Sequence, residues 1–498
     1  MQLTLAQIVD YTNGKLLNNN IDHIISNVVI DSRKITVNSL FIAIIGEHHD
    51  GHDYIDSSFE LGAIACLVNE NSHYIVNHYA KDNKNDIQKN IIVVKDTIKA
   101  IGDLAHNYRK LFNPLIVAIT GSNGKTTVKE MLSSIAIKQF GAEYVLTTSG
   151  NFNNHIGVPL TLLQLNHNHK VAIIEMGMNH ERELDYLSKM TMPNIAIINN
   201  VANAHIEFFR DIEHIAQAKA EIYHGLLTNK NNECMRIACI NTSSPFYQMW
   251  LMGLTDTNIT IINYGDKNTD YYLASVDQHD CHMYYTPIGI IKIKLSILGE
   301  HNYYNALTAI TVAIQLQCNI VNIESALNSY QGFIGRLQLK RASNGANIID
   351  DTYNANLEST LSALDTLFQF TTAKWCIFGE LSELGSYAHP TYIKIADKIL
   401  ELNSKQQLNQ KLTCLITIGR NAKTIIDNIQ QTVNASINDR YDDINDGFIM
   451  LNFNNNQEVI NYCKQYLTNN ISLLIKGSHS AKLWLIADAL VTSFNKNN

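Results

Sequence analysis

Seven consecutive residues, Gly121-Ser122-Asn123-Gly124-Lys125-Thr126-Thr127, combine the groups that hold a polyphosphate. Glycines let successive backbone N–H groups converge on phosphate oxygens, and a helix start adds partial positive charge at the same point. Lys125 can neutralise β- and γ-phosphate charge, and the Thr126 hydroxyl suits a phosphate-bound Mg²⁺. The position five before Gly124 is Ile119 rather than glycine, so the loop is a shortened form of GxxxxGK[ST]. ATP or a close relative is the ligand that this chemistry fits.

Three further residues have chemistry to offer. Glu175 ends the apolar run Val171–Ile174, where an acid can reach a phosphate-held metal. By spacing alone it is equally a strand-end acid in solvent. His205 follows the run Ile195–Ile198 through Asn199-Asn200-Val201-Ala202-Asn203-Ala204, and a lone histidine is more often structural than a ligand. Lys219 lies in the helical stretch Ile212–Tyr223, where an exposed lysine is the ordinary reading.

The elements around these residues predict an α/β architecture. Pro114–Thr120 reads as a strand running into the loop, with Val128–Ile137 helical behind it. Apolar strands Leu115–Ile119, Val171–Ile174, Ile195–Ile198 and Ile237–Ile240 alternate with helical segments, the rhythm of a mainly parallel sheet covered on both faces. Residues 266–290 read as irregular or antiparallel decoration. The last third repeats the rhythm with strands Ala346–Ile349, Trp375–Phe378, Cys414–Ile418 and Ser472–Ile475 and a helix over Leu361–Phe368. Before residue 95, a helix over Leu3–Leu17 stopping at Gly14 and strands Val28–Ile30 and Leu40–Ile44 form a first unit, and residues 81–86 read as an exposed loop. Three α/β domains are expected, over residues 1–95, 96–332 and 333–498.

Size and composition agree. A chain of 498 residues exceeds one ordinary core, and its hydrophobic fraction of 46% suffices for several. With 46 acidic against 38 basic residues, the net charge of −8 argues against general nucleic-acid binding. The 8 cysteines are scattered without a CxxC pair, which fits neither a disulfide framework nor a zinc site. No signal-peptide pattern and no apolar run near the roughly 20 residues of a membrane span is seen, so a cytoplasmic enzyme is expected.

In order along the chain, these motifs resemble the Mur ligase family, the ATP-dependent amino-acid ligases of peptidoglycan precursor synthesis. The resemblance rests on Thr120–Thr127, Glu175, His205, the run Ala218–Ile222, His301-Asn302-Tyr303-Tyr304-Asn305-Ala306 and Gly335-Arg336. Asp31-Ser32-Arg33, Leu40–Ala43, Asp50-Gly51-His52-Asp53, Gly150–Leu163, Gly335–Gln338 and Asp350–Asn356 are most similar to the branch that adds D-alanyl-D-alanine to a UDP-N-acetylmuramoyl-tripeptide. The Asp-Asn-Pro-Arg signature of the branch adding the third amino acid is not found. The resemblance implies a central P-loop domain flanked by an N-terminal UDP-binding domain and a C-terminal Rossmann-like domain. It implies that Gly121 to Thr127 hold ATP, with Thr126 and Glu175 on one Mg²⁺ and His205 on a second. Lys219 would be carbamylated, Asn302 would face adenine, Asp351 the ribose and Arg336 the phosphates after domain closure. Ser32, Arg33, Asn151, Asn153 and Asn154 would bind the UDP-linked substrate, and the enzyme would act as a monomer.

The chain departs from the family pattern at Glu380 in Gly379-Glu380-Leu381-Ser382, at Leu357 after Asn356, at His479 where arginine is usual, and in Asn241–Pro245, which lacks the usual acidic pair. Two other readings remain open. A folylpolyglutamate-type ligase would share the later domains but lack the first, and an ATPase without ligation would keep only the nucleotide site.

Overall fold

The computed structural model describes residues 2–17, 22–78, 89–203, 206–228, 235–255, 257–276, 281–436 and 448–492. Three α/β units follow one another along the chain. The central one is a 6-stranded parallel sheet in the spatial order Thr260–Tyr264, Ile237–Asn241, Ile195–Ile198, Leu115–Thr120, Val171–Glu175, Val145–Thr147. Its inner strands are apolar throughout because helices cover both faces: Ile116 to Ile119 and Val171 to Ile174 are all buried. Behind the phosphate loop, Val128, Met131, Leu132, Ile135 and Ala136 form one buried stripe of the helix Lys125–Phe140.

The stretch expected to be irregular or antiparallel is an antiparallel 3-stranded sheet of Tyr272–Val276, His282–Thr286 and Gly289–Ile293. Its Tyr284 and Ile291 join the core on the phosphate-loop-helix face of the central sheet.

The first unit carries a 5-stranded sheet ordered Lys15–Leu16, Asn90–Val94, Ala63–Asn69, Ser39–Ile42, Asn27–Val29. Here the expected helix Leu3–Leu17 is shorter. It spans Leu5–Thr12, because Thr4 caps its start and Asn13, in the left-handed conformation (φ 50°), ends it one residue before Gly14. Residues 15–16 then leave to pair with the sheet. Residues 81–86 lie outside the described residues. One apolar core runs unbroken from Leu5 and Leu40 through Ile101 and Leu104 of the helix Thr97–Arg109 to Ile116 and Ala172 of the central sheet.

The third unit is a 6-stranded sheet ordered Gln338–Arg341, Asn347–Asp351, Ile471–Lys476, Ala373–Phe378, Leu412–Ile418, Ile449–Phe453, parallel except for its first strand. Asp351 and Lys476 end adjacent parallel strands and stand opposite each other in register. No described helix is long and apolar enough to cross a membrane.

Candidate active site

Carboxyl ends of strands from the central and third sheets meet across two cavities, the arrangement in which open α/β sheets collect ligands. The first cavity, about 320 Å³, takes in Asn123, Thr127, Asn302, Asp351 and Lys476. The second, about 500 Å³, takes in Lys125, Thr126, Glu175, Asn151, Asn153 and Asn154. The phosphate loop is the partition between them.

The loop is held by an array of asparagines. Asn123 N–H donates to Asn200 Oδ1 at 2.8 Å, and its carbonyl accepts from Asn199 Nδ2 at 3.0 Å and Asn200 Nδ2 at 2.9 Å. Asn199 Nδ2 also donates to Asn305 Oδ1 (2.9 Å), Asn305 Nδ2 to Asn302 Oδ1 (2.9 Å), and Asn302 Nδ2 to Leu298 O (2.6 Å). A buried amide relay thus links the phosphate loop to the helix His301–Gln315. Gly124, with φ +75°, leaves room for it: a Cβ there would stand 2.5 Å from Asn305 Oδ1 and 2.6 Å from Asn199 Nδ2. Ser122 Oγ donates to Ala202 O at 3.0 Å.

Lys125 Nζ donates to Gly121 O at 2.6 Å. Burial lowers its pKa, the Glu175 charge opposes that, and Arg336 adds to it. Glu175 is 1% exposed. Its Oε1 accepts from Asn153 Nδ2 (2.8 Å) and Thr126 Oγ1 (3.3 Å), while Oε2 is buried with no hydrogen-bond partner among the described residues. A carboxylate with one orphaned oxygen beside a threonine hydroxyl suits a hard cation, so these residues fit Mg²⁺. No group of three His, Cys, Asp or Glu that could hold a metal occurs among the described residues.

Lys219 is not an exposed helix lysine. It sits at the end of the helix Ile212–Ala220 at 2% exposure, and burial, then repulsion from Lys125, holds its amine well below the usual lysine range. His205 lies outside the described residues.

Arg336 lines both cavities, with its guanidinium 4.3 Å from the Tyr353 ring centroid. Asp351 accepts from Leu337 N–H (3.2 Å) on one oxygen and from Lys476 Nζ (2.5 Å) on the other. Asn151 lines the second cavity, and Asn154 Oδ1 accepts from Gly157 N–H (2.9 Å) at the start of the helix Gly157–Leu162. His479 lines this cavity too, its ring stacked on Trp484 at 4.6 Å.

Ser32 and Arg33 stand elsewhere, on a 3₁₀ turn of the first unit, and line neither cavity. The Arg33 side chain is 87% exposed and pairs with Asp31 at 2.8 Å, which pulls the Asp31 carboxyl down to about 2.

Sequence reasoning gave no role to Asn199, Asn200, Asn305 or Lys476. Asn305 was visible inside the motif His301–Ala306, and Lys476 at the end of an apolar run. What they contact lies at least 76 residues away or within the same motif, for which spacing offers no signal.

Comparison with known proteins agrees with this geometry. Family models match in chain order: Mur ligase family, catalytic domain, over residues 24–109; Mur ligase middle domain over 119–313; and Mur ligase, glutamate ligase domain, over 335–479. The chain is 37% identical over 391 residues to the UDP-N-acetylmuramoyl-tripeptide--D-alanyl-D-alanine ligase of Haemophilus influenzae, covering 77% of this chain and 80% of that one. It is 34% identical over 506 residues to the ligase of the same name from Buchnera aphidicola subsp. Baizongia pistaciae, covering 100% of both. Among solved structures, MurF from Acinetobacter baumannii superimposes with a TM-score of 0.81 at 26% identity over 99% of each chain. With all three units matched in order, the chain belongs to the Mur ligase family.

Proposed function

We propose that this chain is an ATP-dependent ligase that joins D-alanyl-D-alanine to a UDP-N-acetylmuramoyl-tripeptide, releasing ADP and phosphate. The observation that carries the reading is the shared phosphate loop. Asn123 and Gly124 border both cavities, one running to Asn302 and the other to Glu175, as a site that passes a phosphoryl group from nucleotide to acceptor requires. The match of all three units to ligases of that name supports the same substrates.

Amide formation from a carboxylate needs an activated acyl group. The tripeptide carboxylate attacks the γ-phosphate to give an acyl phosphate and ADP, and the dipeptide amine then displaces phosphate through a tetrahedral intermediate. Lys125, the loop amides and Arg336 stabilise charge on the phosphoryl group in transit, so catalysis is chiefly positioning and electrostatics. Thr126 and Glu175 are the residues that would hold Mg²⁺, and Asn153 orients that carboxylate. Bound there, the ion would supply charge neutralisation on the phosphates. His205 is assigned to a second Mg²⁺.

Lys219 is assigned to carbamylation, which consumes a neutral amine: burial, and then repulsion from Lys125, lower its pKa and so favour that form. Asn302 is assigned to adenine and Asp351 to the ribose. In this division of labour residues 1–95, with Ser32 and Arg33, hold the UDP-linked substrate. Residues 96–332 bind ATP, and residues 333–498 close over it and exclude water from the acyl phosphate. The reading places the enzyme in the cytoplasm, acting as a monomer.

Phosphate release with a UDP-N-acetylmuramoyl-tripeptide tests the function. It should require D-alanyl-D-alanine and vanish in Lys125→Ala. Full ligase activity in Lys125→Ala, or dependence on a single amino acid instead of the dipeptide, would overturn it. ADP release needing neither substrate would favour an ATPase.

A further inference from the structure

Arg336 is the only charged side chain that lines both cavities among the described residues. Its Nε is buried there without a hydrogen-bond partner among them. The turn that carries it is strained. Gly335 (φ +71°) and Leu337 (φ +46°) flank Arg336 in the left-handed region, which leucine rarely adopts unless its surroundings enforce it.

Two hydrogen bonds enforce it. Tyr353 N–H donates to Gly335 O at 3.0 Å, and Leu337 N–H donates to Asp351 Oδ1 at 3.2 Å. The second of these depends on the direction in which the Asp351 carboxylate points. That direction is set by Lys476, whose Nζ meets Asp351 Oδ2 at 2.5 Å and Asn354 O at 3.2 Å, and which is 1% exposed. Strand pairing puts Lys476 opposite Asp351, so the ion pair is built into the register of the sheet.

A plain structural salt bridge would be a weak reason to bury two charges here, because apolar residues commonly do as well. Nor does Lys476 gain from its cationic neighbour: burial lowers its pKa, Asp351 opposes that, and the Arg336 charge adds to the lowering.

We propose that Lys476 is a positioning residue: through Asp351 and the Leu337 backbone it fixes the strained turn that aims Arg336 at the phosphates of the bound nucleotide. The inference rests on the ATP-dependent reading above but concerns nucleotide binding alone.

Calorimetry with ATP and with AMP, on wild type and Lys476→Met, tests it without ligase turnover. Affinity for ATP should fall about tenfold more than affinity for AMP, which shares the ribose that Asp351 is assigned to hold but lacks the β- and γ-phosphates. Arg336→Met should show the same ATP-to-AMP difference, and Arg336→Met/Lys476→Met a difference no larger than that of Arg336→Met alone. Should Lys476→Met fail to fold, Lys476→Leu, which likewise removes the donor to Asp351, is read in the same way.

ATP affinity equal to wild type in the Lys476 variants would overturn the inference. So would equal losses for ATP and AMP, or ATP-to-AMP differences that multiply in the double variant. A wild-type protein that binds no ATP would instead overturn the functional reading.

Discussion

Asn356, in the third unit, donates from Nδ2 to Oδ1 of Asn123 in the phosphate loop across 2.8 Å. The same side chain caps the helix Leu357–Leu367, its Oδ1 accepting from Ser359 N–H at 2.9 Å. One residue therefore starts a helix and joins two units. Nearby, Glu358 Oε1 accepts from Asn203 Nδ2 at 2.9 Å, a second bond across the same boundary.

The two roles of Asn356 can be separated. Serine caps a helix about as well as asparagine but is too short to span to Asn123. Asn356→Ser should melt within about 1 kcal/mol of wild type and lose about tenfold in kcat, the worth of one hydrogen bond at the closed interface. Unchanged kcat would remove the interunit bond from the mechanism.

Glu175→Gln keeps the shape of a side chain that Asn153 and Thr126 surround, but removes its charge. Turnover should drop about a hundredfold or more while the melting temperature barely moves. The Mg²⁺ concentration giving half-maximal rate should rise. Chelation of the ion should abolish wild-type turnover, and restored Mg²⁺ should return it. A Gln variant with ordinary Mg²⁺ dependence would exclude Glu175 as a ligand.

Lys219 gives a pH prediction whose sign is fixed by its burial. Between its lowered native pKa and its usual 10.5, the unfolded chain holds a proton that the native state lacks. Stability from this group therefore rises with pH across that window and is poorest at and below the native value. In bicarbonate-free buffer, Lys219→Met should stabilise the protein most at the acid end of this window, with the gap closing as the pH approaches 10.5. A gap independent of pH would contradict this. With ¹³C-bicarbonate, a carbamate carbon signal is expected from wild type and not from Lys219→Met.

Gly157 is a packing prediction with a functional readout. A Cβ there would stand 2.4 Å from the backbone Cα and carbonyl carbon of Phe152, which cannot yield as a flexible side chain can. Gly157→Ala should destabilise by about 1–3 kcal/mol and, by displacing the turn that carries Asn153, lower kcat as well. Chemical denaturation and steady-state rates measured together check both parts.

What was legible in the sequence was whatever the chemistry requires to be contiguous. A phosphate loop must be a glycine turn between a strand and a helix, so Gly121 to Thr127 could be read directly, and buried parallel strands betray themselves as apolar runs. Glu175 was ambiguous because a strand-end acid looks the same in solvent as beside a metal; its burial excludes the solvent reading. Lys219 was misjudged from spacing, since a helix lysine gives no sign of the core it points into, and only the family resemblance singled it out. The short strand Lys15–Leu16 broke a helical pattern because pairing with Asn90–Val94 outweighed local propensity. The role of Lys476 could not be found at all. Its meaning is the residue opposite it, and strand register is not written in either strand alone.

The amide relay from Asn123 to Leu298 also bears on how the site could be blocked. Asn199 commits both of its amide N–H groups, to Asn123 O and to Asn305 Oδ1, so a small molecule seeking a hydrogen bond from it must first break one that the protein holds. An inhibitor of the 320 Å³ cavity should accordingly draw affinity from shape and apolar contact with Ile297, Leu307 and Phe333. Its selectivity would come from polar reach toward Arg336, whose Nε still lacks a partner among the described residues.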